Sequence, residues 1–298
     1  MEGSLRHLRL LSAGHHSPAT EPVGDSPIAA VGPSNSVILA NQELIRPPTY
    51  RRGHRDLEPG SAAWFDELQQ KRYTRHGAWL SAALEFGRHP GESVLLLNPG
   101  VGSDAVSYLQ QGTDVTLAVG PNDQPGLLHD NLARHGYEAR LASVSDGTLP
   151  FPDGAFDVAV WNGLHHPAPD CTNLTDELYR VLKAGGKLIG LFPAYYDAGF
   201  WQDLVVPLQR LYWRRPPDPT STPKTTRKEL RRQFGRFVEH RVSKRHLRRS
   251  ELPHLWRALP LLILERMIGR VLILKAFKPL TASRSAASPL VVSRSVAA

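Results

Sequence analysis

"LLLNPGVGSD", Leu95 to Asp104, runs an apolar stretch straight into a turn with two glycines and on into a segment with helical spacing. A short, continuously apolar strand, then a glycine turn, then an amphipathic helix is the opening unit of an α/β sheet covered on both faces. The same alternation continues outward. Downstream, "SDAVSYLQQG" reads as a helix closed by Gly112, "VTLAV" as a strand, and "DQPGLLHDNLARHG" as a helix closed by Gly136. "ARLASV" and "FDVAVW" follow as strands, then "TDELYRVLKAGG" as a helix and "KLIGLF" as a strand. Later, "TTRKELRRQF" predicts a helix, and "GRFVEHRVSK" and "GRVLILKAF" predict two strands flanking one more. Upstream, "SAAWFDELQQKRYTRHGAWLSAALEF" starts at the N-cap Ser61 and spaces Trp64, Phe65 and Leu68 along one face, which predicts a single helix. The fold class is α/β, with seven strands in a mostly parallel sheet.

A chain of 298 residues with 41% hydrophobic content suits one core domain with tails. Residues 1–60, rich in Pro, Ser, Gly and Arg, read as a disordered or loosely held leader, and residues 280–298 as a flexible tail. The domain itself is expected over residues 61–279, with a lid insertion at about 194–223. The single cysteine, Cys171, excludes an intramolecular disulfide and offers no metal cluster, which favours a reducing, cytoplasmic setting. "LWRALPLLILERMIGRVLILKAF" is too interrupted by Arg257, Glu265, Arg266, Arg270 and Lys275 to span a bilayer. It predicts a buried helix followed by a buried strand. The net charge of +8 is concentrated in Lys224 to Arg249, where eleven Lys/Arg face two Glu. That segment is either a solvated face or a surface for anionic lipid or nucleic acid.

In open parallel sheets, ligands sit beyond the carboxyl ends of the strands, where a glycine turn supplies backbone N–H groups. Gly100 and Gly102 stand at the right offset for this use. The decisive context lies further on: Ser145-Asp146-Gly147, then "LPFPDGAFDVAVWNGLHH" from Leu149 to His166, and "ELYRVLKAGGKLIGLFP" from Glu177 to Pro193. With these segments the sequence, over roughly Trp64 to Lys278, resembles the class I S-adenosylmethionine-dependent methyltransferases. The similarity is strongest to the methyltransferase type 11 branch that acts on small molecules.

The resemblance implies a Rossmann-like, seven-stranded sheet with helices on both faces and an antiparallel edge hairpin. It implies S-adenosylmethionine as cofactor and a small-molecule or lipid-like acceptor. Its strand-one signature falls on Leu96, Asn98, Gly100 and Gly102, and its ribose-holding acid on Val119, so both family acids are replaced by apolar residues. The acid that meets the adenine falls on Asp146, beside Gly147. The residues lining the methionine end and the substrate mouth fall on Asn162, Gly163, Leu164 and His165. Tyr73, after Arg72, is a candidate cover over the cofactor.

Asn122 or Asp123 would reach the ribose in place of the missing acid, or would simply cap the next helix. Asn98 tolerates positive φ, but the residue before a proline is driven towards extended geometry, and Pro99 removes an N–H, so the turn is expected to be reshaped. His165 and His166 are candidates for a general base or for a strand-end hydrogen bond. Asp153 and Asp157 read as part of a turn. Tyr195, Tyr196, Phe200, Trp201, Tyr212 and Trp213 read either as a substrate lid or as core. The functional alternative is a catalytically inactive binding or scaffold protein on the same fold.

Overall fold

β1, Ser93–Leu97, carries apolar side chains on both faces: Val94 and Leu96 enter one buried cluster, Leu95 and Leu97 the other. A strand of this kind sits in the middle of a sheet covered on two sides. In the computed structural model it is flanked by β2, Asp114–Val119, and β4, Phe156–Asn162, both parallel to it. β3, Arg140–Ser143, pairs parallel to β2, and β5, Leu182–Pro193, parallel to β4. β7, Val271–Phe277, runs antiparallel between β5 and the edge strand β6, Val238–Arg245. The order β3-β2-β1-β4-β5-β7-β6 reverses direction between β1 and β4. The described residues are 57–75, 77–120, 123–144, 147–164, 172–197, 200–201, 224–247 and 258–280. The leader up to residue 56, Cys171, the centre of the expected lid and the tail from 281 lie outside them.

The α-helices with described bounds are α1 Ala62–Gln70, α2 Ala78–Leu84, α3 Ser103–Leu109, α4 Pro125–Arg134, α5 Thr172–Val181, α6 Arg227–Gln233 and α7 Leu261–Ile268. Ser61 caps α1, accepting a bond from Trp64 N. Thr226 and Glu229 form a reciprocal capping box on α6.

Two expectations are corrected. The single helix predicted from Ser61 breaks into α1, a π-turn at Lys71–Arg75, and α2. A Cβ on Gly77 would stand 1.9 Å from the Arg72 carbonyl oxygen, so the chain folds back on itself at the one residue that fits. The helix expected to be buried, α7, is buried only at Leu264 and Ile268, while Leu262, Ile263 and Met267 are 70%, 57% and 61% exposed. α7 joins β6 to β7 at the end of the sheet, where its buried side chains enter a small cluster with Leu247 and Trp201.

Candidate functional site

The turn after β1 places three of five residues in left-handed backbone: Asn98 at φ 54°, Gly100 at 59° and Gly102 at 78°. Gly102 N donates to Pro99 O at 3.0 Å, and Asn98 N to Ala118 O at 3.1 Å, so the turn is tied to itself and to the end of β2. The tension read between Asn98 and Pro99 is resolved against the usual pre-proline preference. Left-handed geometry at a non-glycine residue is typically worth about 1–3 kcal/mol of strain and persists only where the surroundings enforce it. Here the surroundings are burial and the Asn98 Nδ2 bond to Asn162 O at 3.3 Å, which links the carboxyl ends of β1 and β4 across the reversal point. Leu96 and Val119, at the two replaced acids, both pack against one core cluster.

Four residues beyond Val119, Asp123 turns back over this crevice. Its Oδ1 accepts from Gly100 N at 3.0 Å and its Oδ2 from Gly120 N at 2.7 Å. The helix-cap reading of Asp123 is corrected: the N-cap of α4 is Gln124, with no side-chain cap bond. Burial raises the Asp123 carboxyl to about 6, a rise that the two N–H donors only partly offset. Among the described residues no opposite charge pairs with this acid. It bridges the end of β2 and the glycine turn.

Tyr73 and Arg72, carried by the π-turn, converge on Asp104 in the first turn of α3. Arg72 donates from Nε to Oδ1 at 2.8 Å and from Nη2 to Oδ2 at 2.5 Å, and the Tyr73 hydroxyl donates to Oδ1 at 2.5 Å. Paired with Asp104, the Arg72 guanidinium is held charged despite its burial, and burial keeps the Tyr73 phenol protonated. This buried fork fastens the N-terminal segment to the helix behind the glycine turn. Sequence reasoning picked out Tyr73 but missed Asp104, whose partners lie 31 and 32 residues away in the chain.

At the end of β4, Asn162 is buried and its Oδ1 accepts from Leu164 N at 3.4 Å, while Leu164 joins the same core cluster as Leu96. Gly163 lies against the Phe192 ring, which a Cβ would approach to 2.6 Å. Gly147 adopts φ 73° beside the start of α5. Ser145, Asp146, His165, His166 and Asn122 lie outside the described residues. Beyond β5, Tyr195, Tyr196 and Phe200 pack with ring centroids 5.0–5.6 Å apart, and Trp201 adjoins Phe200 at 5.7 Å. Tyr212 and Trp213 fall among the undescribed residues.

The opposite, amino-end rim is built differently. Asp157 accepts from Ser93 N and Oγ and from Lys183 Nζ, tying β4 to β1. A cavity of about 390 Å³ lined by Asp153, Tyr179, Arg180, Arg236 and Lys278 opens there. Arg180 is paired there with Asp153 and Glu177, and Arg236 with Asp176, while Lys278 donates to the carbonyls of Arg180 and Leu182. Several cations of the basic segment are likewise engaged: Lys224 with Asp197, Arg245 with Glu265, and Lys244 with the carbonyls of Tyr196 and Met267. Arg248 and Arg249 are not among the described residues.

Residues 97–190, from the end of β1 into β5, match the family described as a methyltransferase domain. Over 114 residues the chain is 35% identical to a demethylmenaquinone methyltransferase of Beutenbergia cavernae, covering 37% of this chain and 45% of that protein. It is 30% identical over 105 residues to an arsenite methyltransferase of Halobacterium salinarum, covering 33% and 26% of the two chains. The chain thus spans less than half the length of these curated relatives. A solved structure of a putative methyltransferase from Bacillus halodurans aligns with TM-score 0.47 at 14% identity, over 68% of this chain and 100% of that one.

Proposed function

We propose that the chain, whose residues 97–190 match a methyltransferase domain, is a class I S-adenosylmethionine-dependent methyltransferase that transfers a methyl group to a small or lipid-like acceptor. The observation that carries this reading is the crevice at the reversal point, where the left-handed turn at Asn98 to Gly102 and the Asp123 carboxylate close on the same gap. The residues fit the nucleoside end of the cofactor. An ionised carboxylate has about four acceptor positions, and the two backbone bonds leave Asp123 room for the ribose hydroxyls that Val119 cannot hold.

S-adenosylmethionine supplies, when bound, a methyl on a sulfonium that transfers without any protonation by the protein. The protein's share is alignment and exclusion of water. Asn98 and Asn162 hold the ends of β1 and β4 at a fixed separation, and Leu164 forms an apolar wall behind them. Asp146 is assigned to the adenine, Gly147 to the turn beside it, Tyr73 to the cover, and His165 to proton removal from the acceptor. The aromatic group at Tyr195, Tyr196 and Phe200 stands at the carboxyl end of β5 and would shield the acceptor.

Labelled S-adenosylmethionine offered with hydroxylated quinols, sterols and a lipid extract tests the reading. Label passing into the organic phase, with S-adenosylhomocysteine formed in equal amount, is the expected result. Cofactor binding without transfer to any acceptor would instead favour the inactive binding protein, which the apolar residues at Leu96 and Val119 recommend.

A further inference from the structure

α7 turns every polar anchor inward. Its one acid, Glu265, accepts from Arg245 at 3.0 Å and from His246 N at 2.9 Å, and its last turn is held by Lys244 Nζ on the Met267 carbonyl at 2.8 Å. Leu264 and Ile268 pack beneath it. Outward it presents Leu262, Ile263 and Met267, continued by Leu259 at 50% exposure, with Arg266 as the outward charge of the helix. Exposed Arg227 stands alongside, donating to the Arg266 carbonyl at 3.2 Å. Among the described residues this apolar face is rimmed by cations and carries no outward acid, the pattern of a helix lying in a lipid interface.

The position of the helix adds direction. β7 begins at Val271 opposite Pro193, the carboxyl end of β5, and β6 ends at Arg245 opposite Val271. The loop carrying α7 therefore stands on the same rim of the sheet as the glycine turn and the exposed Tyr195 and Tyr196. A second protein is a poorer occupant. A standard interface covers roughly 800 Å² on each partner, more than four side chains on and beside an eight-residue helix supply. Insertion among acyl chains asks for no such area or shape match, and a chain of net charge +8 is drawn to an anionic surface before it inserts.

We propose that the outward face of α7, formed by Leu259, Leu262, Ile263 and Met267 with Arg227 and Arg266, seats the protein on an anionic bilayer and turns the carboxyl-end crevice towards the lipid. Only the meaning of that orientation, access of a lipid-dissolved acceptor to the crevice, rests on the methyltransferase reading.

The test is flotation of the full-length chain with vesicles of phosphatidylcholine alone and of phosphatidylcholine with about one third phosphatidylglycerol. The wild type floats with the anionic vesicles. Leu262→Asp, Ile263→Asp and Met267→Asp together lower partitioning by about tenfold or more, and Arg266→Glu lowers it more at low salt than at high. Leu141→Asp, an exposed apolar position on β3 at the far edge of the sheet, leaves it unchanged. Undiminished flotation of the triple variant overturns the proposal, as does a wild type that ignores anionic vesicles. A wild-type dimer that the triple variant converts to monomer, without vesicle binding by either, assigns the face to a second copy and also overturns it. Titration of the same samples with S-adenosylhomocysteine keeps the two readings apart: flotation without cofactor binding upholds the docking face and removes the methyltransferase reading alone.

Discussion

Glu85 and Asp123 are two acids withdrawn from solvent at opposite rims of one sheet, and their surroundings treat them in opposite ways. Burial would raise Glu85, but it is held between Lys187 and Lys275 and lowered to about 2, and it bonds Lys275 at 2.6 Å. Asp123 has, among the described residues, the N–H groups of Gly100 and Gly120, and burial raises it to about 6. The described acids at the amino end, Glu85, Asp153 and Asp157, each have a cationic partner, which is how a structure is held together. The carboxyl-end rim keeps a strained Asn98 and an acid without a counter-ion among the described residues, features that cluster at working sites because they are retained in spite of their cost in stability.

The largest expected effects are on the matched side and at the buried fork behind the turn. Glu85→Gln and Asp104→Asn each leave half-buried cations short of a buried partner, and each should lower unfolding stability by about 1.5–3 kcal/mol in denaturant titrations. If Asp104→Asn were harmless, the fork with Arg72 and Tyr73 would not be what fastens the N-terminal segment. Next comes the strained turn. Asn98→Ala removes the bond to Asn162 and retains a side chain at positive φ, costing about 1–3 kcal/mol, while Asn98→Gly relieves φ and should stay within about 1 kcal/mol of wild type. Equal losses would mean that the hydrogen bond, not the backbone, dominates.

The smallest effect, and the one that sharpens the contrast most, is in pH dependence. Glu85 is depressed in the fold, so its contribution is fully present above its unfolded value of about 4.3 and is lost as pH falls through about 2. Asp123 is raised, so the folded state gains stability as pH falls from about 6 towards its unfolded value of about 3.9. Stability curves of Asp123→Asn should lack the upper slope and those of Glu85→Gln the lower one. The same slopes in both variants would mean that other groups set the pH response.

Much of this was legible in the residues. The alternation of apolar runs and amphipathic segments located all seven strands, and the resemblance supplied the antiparallel edge that β6 and β7 form with β5. What stayed hidden depends on contacts between distant parts of the chain. "KRYTRHGAW" keeps helical spacing, and only the approach of Gly77 to the Arg72 carbonyl breaks it. "LLILERMI" is apolar almost all round, a pattern that does not distinguish a helix inside the core from one at its margin. Asp123 precedes a helix and looks like a cap, but its bond to Gly100 crosses 23 residues.

In the proposed function Asp123, in place of an acid at Val119, holds the cofactor's ribose in the crevice. Calorimetric titration of S-adenosylhomocysteine into wild type and Asp123→Asn, at pH 7.5 and pH 5, tests it directly. A charge-assisted bond of about 1.5–3 kcal/mol predicts affinity roughly ten- to a hundredfold weaker in the variant at pH 7.5, with the gap narrowing at pH 5 as the wild-type carboxylate is protonated. Equal affinities at both pH values, or no binding by the wild type, would contradict it.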